Sequence, residues 1–498
     1  MDMIPSAYPV LSLFIITLPV GAALIWLWPK AEYARWIALI TTFANLALSL
    51  FILTGFDRTI NGFQFVERAE WIPTINAKYL MGVDGISVLF LPLTSLLFVG
   101  IIISSWKSQQ QQMPRLYFTL ILLLESSILC IFCALDGLLF FLFWELTLLP
   151  LFLLNSLWGA GPNRRYAVVK YTLFMLVGGI PLLFGFVLLA LNHAASADGF
   201  PAGLSFDYLD WLNTPVDSKS QVLIFILLFL GFAVKTPIVP LHTWMPFMAM
   251  EGSIPVGASM VGLKLGAYGL IRFVLPLVPD AAHELQWLLL LLGVTGVLYG
   301  AVVALTQTNL RNMLAFSSIS HVSLVVLGIA TLSQQGLEGA VYQLLNFVIT
   351  AGGLFLLTGF LHQRIGSTDI ISLGGAARQM PVLASLFLLL GLTGMGVPGT
   401  SGFPAEFLLI FSVIQSHIGA GLAALAAVVL SAAYFLSVYR KSFMGPTTNP
   451  VVAQSIDLRN SELVVMLIFA ALVILGGFYP SGVLDVISTT SHYWAARF

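Results

Sequence analysis

Residues 222–243 read VLIFILLFLGFAVKTPIVPLHT, an apolar stretch that carries one lysine followed closely by two prolines. The stretch has about the 20 residues that a helix needs to cross the hydrocarbon core of a bilayer. Lys235 lies inside it, and Pro237 and Pro240 follow. Because proline removes a helical hydrogen bond and breaks the helix, the stretch predicts a membrane helix that is interrupted beside a buried lysine.

The whole chain shares this apolar character. Of its 498 residues, 59% are hydrophobic and 9% are Asp, Glu, Lys or Arg, whereas a soluble domain has about 25% charged residues. The net charge is −1, from 21 Lys and Arg against 22 Asp and Glu, so no basic surface is available to bind nucleic acid. Two cysteines exclude a disulfide framework and a four-thiolate cluster. The composition predicts a polytopic protein that contacts the lipid bilayer.

About fourteen apolar segments are long enough to span a bilayer, and short loops separate most of them. Only helices are expected, because lipid offers no partner for an unpaired backbone amide. Two polar stretches, near 56–85 and 192–220, are expected outside the lipid, and no shift in composition marks a second domain. The predicted spans are 10–28, 36–55, 86–105, 116–134, 138–158, 168–191, 222–243, 254–276, 286–306, 312–331, 338–362, 381–416, 418–438 and 462–478.

The basic residues predict the orientation of these helices, because cytoplasmic loops carry an excess of Lys and Arg. Thirteen of the 21 follow odd-numbered spans, six lie on the opposite side, and Lys235 and Lys264 fall within apolar segments. Both termini are therefore predicted to lie outside the cytoplasm. The thirteen are Lys30, Arg35, Lys107, Arg115, Arg164, Arg165, Lys170, Arg311, Arg364, Arg378, Arg440, Lys441 and Arg459, and the six are Arg58, Arg68, Lys78, Lys219, Arg272 and Arg497.

Five charged residues fall within apolar segments: Glu125, Glu145, Lys235, Lys264 and Glu406. A charge at the centre of a bilayer costs about 2.5–3.5 kcal/mol on insertion scales. Burial favours the neutral form of such a group and a nearby opposite charge favours the charged form, so a lysine whose partner moves can release its proton. The pattern predicts proton transfer. A structural ion pair is the alternative for Glu145 with Lys235, and a structural role is equally open for Glu125.

A second interrupted helix is predicted before Glu406, where Pro398 and Pro404 flank Gly399 and Gly402. Broken helices at membrane depth line wet cavities or ion paths. The two interruptions, after Lys235 and before Glu406, suggest two corresponding half-units. A kink that serves packing alone is the alternative.

A polar sequence, SSISH at 317–321, interrupts another apolar segment. A single histidine in an apolar helix is usually a core residue whose hydrogen bonds are satisfied. Here the neighbouring serine hydroxyls provide a polar path that water can follow. His321 is therefore predicted to relay protons. His242, just beyond the break after Lys235, is a weaker candidate for the same role.

These motifs together resemble the antiporter-like subunits of respiratory complex I. The residues that carry the resemblance are Trp144-Glu145, KTP at 235–237, PLHTW at 240–244, Lys264 before GAYG at 266–269, and SSISH at 317–321. The sequence VPGTSGF at 397–403, leading to Glu406, is similar to the subunit M group within that family. The matching acid is typically a lysine in subunits L and N. The resemblance covers nearly the whole chain.

The resemblance implies an all-α membrane fold of fourteen helices, with helices seven and twelve broken. It implies one membrane domain, 1–498, with two inverted five-helix repeats, in 116–276 and 286–438. It also implies a proton-translocating subunit driven by quinone reduction elsewhere in the complex, with no catalytic centre, cofactor or metal of its own. Neighbouring antiporter-like subunits would be its partners, in a bacterial inner membrane or a thylakoid membrane.

Motif matching also implies roles for single residues. Glu145 and Lys235 would be a modulating pair, and Lys264 the central relay. His321 would connect this relay to Glu406, which would be the exit residue. Glu125 matches an acid that is often seen in the fourth helix of this fold, with a less settled role.

Three stretches depart from the family pattern. Residues 247–249 read FMA where Asp-Ala-His is usual, and 309–312 read NLRN in place of Asp-Leu-Lys-Arg. Asn346 stands where the eleventh helix usually has a histidine, so we expect it to anchor water along the proton route. The alternatives are a subunit of a cation/proton antiporter, of a hydrogenase or carbon-dioxide-uptake complex, or a structural subunit whose pump is partly lost.

Overall fold

The computed structural model describes residues 2–6, 8–106, 112–197, 199–447 and 449–497. In this part of the chain, twelve helices are long and apolar enough to cross a membrane, or up to thirteen if the bent pair Ile370–Arg378 and Pro381–Gly394 counts as one span. The predicted spans 86–105 and 381–416 contain the shorter apolar helices Phe90–Ser104 and Gly402–Ser416. The mostly helical membrane fold is confirmed, whereas the count of fourteen and the inverted repeats stay predictions.

The helices are numbered in chain order. The first half of the chain contains α1 (Val10–Leu27), α2 (Ala34–Gly55), α3 (Phe90–Ser104), α4 (Pro114–Cys133), α5 (Gly137–Leu146), α6 (Leu148–Trp158), α7 (Arg164–Ser196), α8 (Tyr208–Asn213), α9 (Ser218–Lys235), α10 (Trp244–Glu251), α11 (Ile254–Gly262) and α12 (Leu265–Gly269). The second contains α13 (Leu275–Leu277), α14 (Pro279–Glu284), α15 (Gln286–Leu305), α16 (Leu310–Ala330), α17 (Gln334–Ile365), α18 (Ile370–Leu373), α19 (Pro381–Gly394), α20 (Gly402–Ser416), α21 (Ile418–Phe443), α22 (Pro450–Ala453), α23 (Asn460–Phe478) and α24 (Ser481–Ala495).

A small three-stranded sheet accompanies the membrane helices. Its strands are β1 (Asp2–Pro5), β2 (Gly62–Ile72) and β3 (Ala77–Val83). β1 pairs in parallel with β2, and β2 pairs antiparallel with β3. The β2–β3 hairpin lies within the polar stretch that the sequence excludes from lipid. Edge amides can reach water there, which is why a sheet is possible at this place and not among the spans.

The sheet and the connections near it form one end of the bundle. Asn76, in the hairpin turn, donates to the carbonyl of Leu204 at 2.9 Å. Thr489 of the last helix donates to the carbonyl of Arg58 at 2.9 Å. Strand β1 and helix α24 therefore place both described ends of the chain on the same side of the bundle.

Buried aspartates join this end to the helices. Asp136 caps α5 by accepting from the amides of Leu138 and Leu139, and also accepts from the amide of Lys78 at 3.0 Å. Asp207 lies 3.2 Å from Arg68 in an ion pair. Burial raises the pKa of both aspartates above the ordinary value.

The opposite end holds the basic residues that predict the orientation. Arg115 donates to the carbonyls that follow α1, and Arg311 donates to the carbonyl of Met250 at 2.6 Å. Arg364 pairs with Glu462 at the start of α23. Which of the two ends faces the cytoplasm stays a prediction. Lys107, which contributes to that prediction, lies outside the described residues.

Helix breaks position the charged side chains. The predicted interruptions occur, since α9 ends at Lys235 and a non-helical segment separates α19 from α20. A third break, between α11 and α12, occurs at Lys264 without a proline at that residue. A fourth, slighter one separates α5 from α6 at Thr147. Each break frees backbone groups beside a charge, in the manner of ion-conducting membrane proteins.

Candidate functional site

The ammonium of Lys235 lies beside the break between α5 and α6. Its Nζ donates to the carbonyl of Trp144 at 3.2 Å and to the hydroxyl of Thr147 at 3.0 Å. It also lies 3.9 Å from the centre of the Trp144 ring, a cation–π distance. Thr147, which the motifs did not single out, thus supplies a side-chain contact to the central charge of the first half.

Glu145 does not form a direct ion pair with Lys235, which is the contact that the structural alternative predicts. Among the described residues, no carboxylate oxygen lies within 4.0 Å of the Lys235 ammonium, and Glu145 Oε1 is buried without a hydrogen-bond partner. Glu145 instead turns toward α7, where a Cβ at Gly179 would lie 2.2 Å from Oε1. The absence of a side chain at Gly179 leaves space for the Glu145 carboxylate.

A cavity of about 30 Å³ lies beside Lys235. That volume is enough for at least one water molecule. Its polar lining comes from Lys235, Thr147, Tyr171 and Ser259, and its apolar lining includes Leu263 and Leu265, the residues on either side of Lys264. One water here would have the polar partners that a buried water needs.

Lys264 lies in the break between α11 and α12 and is 4% exposed. Its Nζ has no hydrogen-bond partner among the described residues. The nearest aromatic face is that of Phe347, whose centre lies 5.7 Å from Nζ. An unpaired ammonium at this depth is costly, and it is the type of group that can give up its charge by losing a proton.

Phe347 lies near both Lys264 and His321. The Phe347 ring is buried, and its centre lies 6.4 Å from that of the His321 imidazole. The two predicted relay groups therefore share one phenyl ring as a neighbour. The motifs did not include this residue, because a buried phenylalanine in an apolar helix looks like ordinary core.

His321 and Glu406 meet in the second half of the bundle. His321 Nδ1 lies 3.3 Å from Glu406 Oε1, and both side chains are almost fully buried. The contact has ion-pair distance but lacks hydrogen-bond geometry. On its other side, His321 Nε2 lies 3.3 Å from the hydroxyl of Tyr434, which bonds the hydroxyl of Ser317 at 2.6 Å. Part of the predicted polar track is therefore a connected network.

The break before Glu406 shapes the pocket of that carboxylate. Gly396 has φ +64, a left-handed conformation that glycine tolerates. A Cβ at this position would also lie 2.4 Å from Glu406 Oε2. The glycines of this region thus allow the backbone of the break to approach the acid closely.

Asn346 binds protein groups directly. Its Oδ1 accepts from Ser401 at 2.7 Å and from Thr350 at 2.9 Å, and its Nδ2 donates to Gln343 at 3.2 Å. Ser401 immediately precedes α20. The amide therefore links α17 to the helix break by a direct hydrogen bond. The prediction that Asn346 anchors water did not include this contact.

Glu125 and His242 lie apart from these contacts. Glu125 is fully buried on α4 and accepts from Thr42 at 3.0 Å, while its Oε1 has no partner among the described residues. His242 packs its ring against Tyr299 and Phe316, at 5.1 and 6.4 Å between centres. The structure brings neither residue into hydrogen-bond contact with Lys235 or Lys264.

Arg272 takes part in a buried ion pair. The orientation argument counts it on the side opposite the thirteen basic residues, at the end of the predicted span 254–276, and it is 2% exposed in a π-helical turn after α12. Its two terminal nitrogens each lie 2.6 Å from an oxygen of Asp84, which is fully buried. A bidentate pair of this kind is the strongest form of side-chain salt bridge. It fastens the second half of the broken helix to the segment that follows β3.

Comparison with known proteins identifies the family. The family model for the transmembrane region of NADH:quinone oxidoreductase and Mrp antiporters matches residues 134–431. Subunit M of the NADH-quinone oxidoreductase of Rhodobacter capsulatus is 35% identical over 465 residues, which are 91% of this chain and 89% of that protein. Subunit M of Escherichia coli strain K12 is 33% identical over 495 residues, with 96% of each chain covered.

Solved structures share the fold. A chain of respiratory complex I from Thermus thermophilus, determined with bound NADH, has a TM-score of 0.88 at 29% identity, covering 98% of this chain and 99% of that one. A chain of the Mrp complex from Dietzia sp. DQ12-45-1b has a TM-score of 0.83 at 20% identity, covering 98% and 97%, which is a likeness of fold alone. The protein is therefore an integral membrane member of the NADH:quinone oxidoreductase/Mrp antiporter family and, within it, belongs to the subunit M group.

Proposed function

We propose that this chain is a proton-translocating membrane subunit of a complex I-type NADH:quinone oxidoreductase. In this role it contributes no redox chemistry, and quinone reduction elsewhere in the complex drives it. The observation that carries the proposal is the buried Lys264, whose ammonium has no hydrogen-bond partner among the described residues and lies at a helix break. A chain that kept this lysine for stability alone would be expected to pair its charge.

The proton route that we propose runs from the Lys235 region to Glu406. Lys235, held by Trp144 and Thr147, borders the cavity that Leu263 and Leu265, the neighbours of Lys264, also line. His321 and Glu406 lie 3.3 Å apart, and they exchange a proton when their side chains reach hydrogen-bond geometry. Glu145 modulates Lys235 through its charge. Asn346 acts through hydrogen bonds, because an amide side chain neither gains nor loses a proton near neutral pH.

Its partners and surroundings follow from the same family. The relatives named above are subunits of multi-subunit membrane complexes, so neighbouring antiporter-like subunits are the expected partners of this chain. Apolar side chains such as Val177, Ile180 and Phe184 on α7 are exposed and would contact lipid or such a neighbour. We place the sheet end of the bundle, where both described ends of the chain lie, and with it both termini on the non-cytoplasmic side.

The proposal is tested by replacing Lys235 with arginine. Arginine keeps the charge but does not release a proton at accessible pH, so Lys235→Arg is expected to pump nearly as poorly as Lys235→Ala. Proton uptake would be measured in vesicles that contain the assembled complex, with NADH as donor and at matched subunit content. Wild-type pumping by the arginine variant would show that Lys235 is an electrostatic support and not a relay.

A sodium-linked antiporter subunit is the second candidate, favoured by the similarity of fold to the Mrp complex. The same vesicles distinguish the two functions. A redox-driven proton pump continues to work when sodium is replaced by potassium and stops when quinone reduction is inhibited. Proton movement that requires sodium and continues after that inhibition would establish the antiporter.

Thr147 provides a test of how Lys235 is held. Thr147→Val removes the hydroxyl that accepts from the ammonium, whereas Thr147→Ser keeps it. A hydrogen bond to a charged group is worth about 1.5–3 kcal/mol, so we expect the valine variant to pump about tenfold or more slowly. The serine variant should pump at close to the wild-type rate. Equal rates for valine and serine would mean that the Thr147 contact has no role in transport.

A further inference from the structure

One face of α17 carries polar groups at a spacing of four residues. Glu338, Tyr342, Asn346 and Thr350 follow one another along this mainly apolar helix. Residues four apart lie on the same face of a helix, and each step rises by about 6 Å. The face therefore continues from the region of the helix break toward the end of the bundle that carries the sheet.

The inner part of this face lies at the break before α20. Ser401 donates to Asn346, and the hydroxyl of Tyr342 donates to the carbonyl of Gly476 at 2.8 Å. A Cβ at Gly476 would lie 2.9 Å from the Ser401 side chain and 3.2 Å from the Tyr342 hydroxyl. The hydroxyls of Ser401 and Tyr342 thus approach the same small region, beside the backbone of the break.

The outer end of the face is Glu338, which is half-buried. Its Oε1 accepts from Gln334 at 2.8 Å and from Ser491 of α24 at 3.1 Å. Gln334 in turn contacts His492, an exposed residue of α24, at 3.1 Å. Among the described residues no hydrogen bond reaches Glu338 Oε2, which leaves that oxygen to water. A carboxylate is therefore held in place where the polar face meets the surface.

We propose that Glu338 is the proton-transfer carboxylate at the sheet end of the route, an inference that rests on the proposed function. A proton that leaves the helix break through water along α17 binds to Glu338 Oε2 and makes the neutral acid. The acid then releases that proton to bulk water at the surface, which restores the carboxylate. Tyr342 and Asn346 orient the water and keep their own protons. Ser491 and Gln334 fix the carboxylate through its other oxygen.

The test uses the assembled complex in vesicles. Glu338→Gln keeps an oxygen for Ser491 and Gln334 but cannot carry the proton, so we expect redox-driven translocation to fall by about 100-fold, the lower end of what a positioned proton-transfer group contributes. Glu338→Asp should keep most of the rate. Asp485→Asn is the matched control, because Asp485 is an exposed carboxylate on α24 at the same end of the bundle.

Chemical rescue separates transfer from support. Glu338→Ala leaves space at the surface for a small weak acid, so formate should restore translocation in this variant and not in Glu338→Gln. The proposal is overturned if Glu338→Gln pumps at the wild-type rate, if Asp485→Asn loses as much, or if formate leaves Glu338→Ala unchanged. These outcomes are distinct from failure of the proposed function, in which the wild-type complex itself would show no redox-driven proton uptake.

Discussion

Lys264→Met is expected to abolish redox-driven proton translocation and, at the same time, to make the subunit more stable. The lysine ammonium is buried with no hydrogen-bond partner among the described residues. Removing an unsatisfied buried polar group recovers about 1–3 kcal/mol, and methionine fills a similar volume with an apolar chain. Loss of the only titratable group in this break should lower the proton flux by at least about 100-fold.

Two measurements on one purified complex check this expectation. Proton uptake in vesicles reports the flux, and thermal unfolding of the detergent-solubilised complex reports stability. Lys264→Arg serves as the control that retains a charge, and it should lose the flux without gaining stability. A methionine variant that pumps normally would remove Lys264 from the route. One that is strongly destabilised would mean that the ammonium is paired in the working complex.

Breaking the Asp84–Arg272 pair should have the largest effect on folding. Arg272→Met leaves the fully buried Asp84 carboxylate without its bidentate partner. Removal of one partner of a buried pair costs about 3–5 kcal/mol, which is a large fraction of the stability of most proteins. We therefore expect little assembled subunit in membranes and a clear fall in the unfolding temperature of what remains.

The double variant distinguishes an unpaired charge from lost packing. Asp84→Asn still has an oxygen for the amides of Ile86 and Ser87, which Asp84 now caps, but it carries no charge. Combined with Arg272→Met, it should restore much of the subunit content. If the double variant is as poorly assembled as Arg272→Met alone, the cost arises from the missing guanidinium contacts with Tyr268 and its neighbours, and not from the carboxylate.

Prolines and intramembrane charges made part of the site predictable. Pro237 and Pro240 predict the break after Lys235, and Pro398 predicts the break before Glu406. Both breaks are present. The break at Lys264 has glycines at 262 and 266 in place of a proline, a weaker local signal. Local backbone chemistry thus indicates where helices are interrupted, and best where proline forces the interruption.

The partners of the charges were not predictable in the same way. The acceptors of Lys235 are a backbone carbonyl and a threonine hydroxyl, which carry no charge pattern in a sequence. Arg272 and Asp84 are 188 residues apart, so only the packed fold brings them together. Asn346 and Ser401, which form a hydrogen bond, are 55 residues apart in the sequence. Each contact depends on how helices pack, which periodicity does not specify.

The phenyl ring of Phe347 has an electrical consequence. Its centre lies 5.7 Å from the Lys264 ammonium and 6.4 Å from the centre of the His321 imidazole. A buried phenyl ring neither binds nor releases a proton and has a low dielectric constant, so it is an electrical insulator beside both groups. Each proton that the subunit moves against 100 mV stores about 2.3 kcal/mol. On the proposed route, redox energy is converted into that stored charge, and the insulating ring lies beside two of the groups that pass the proton.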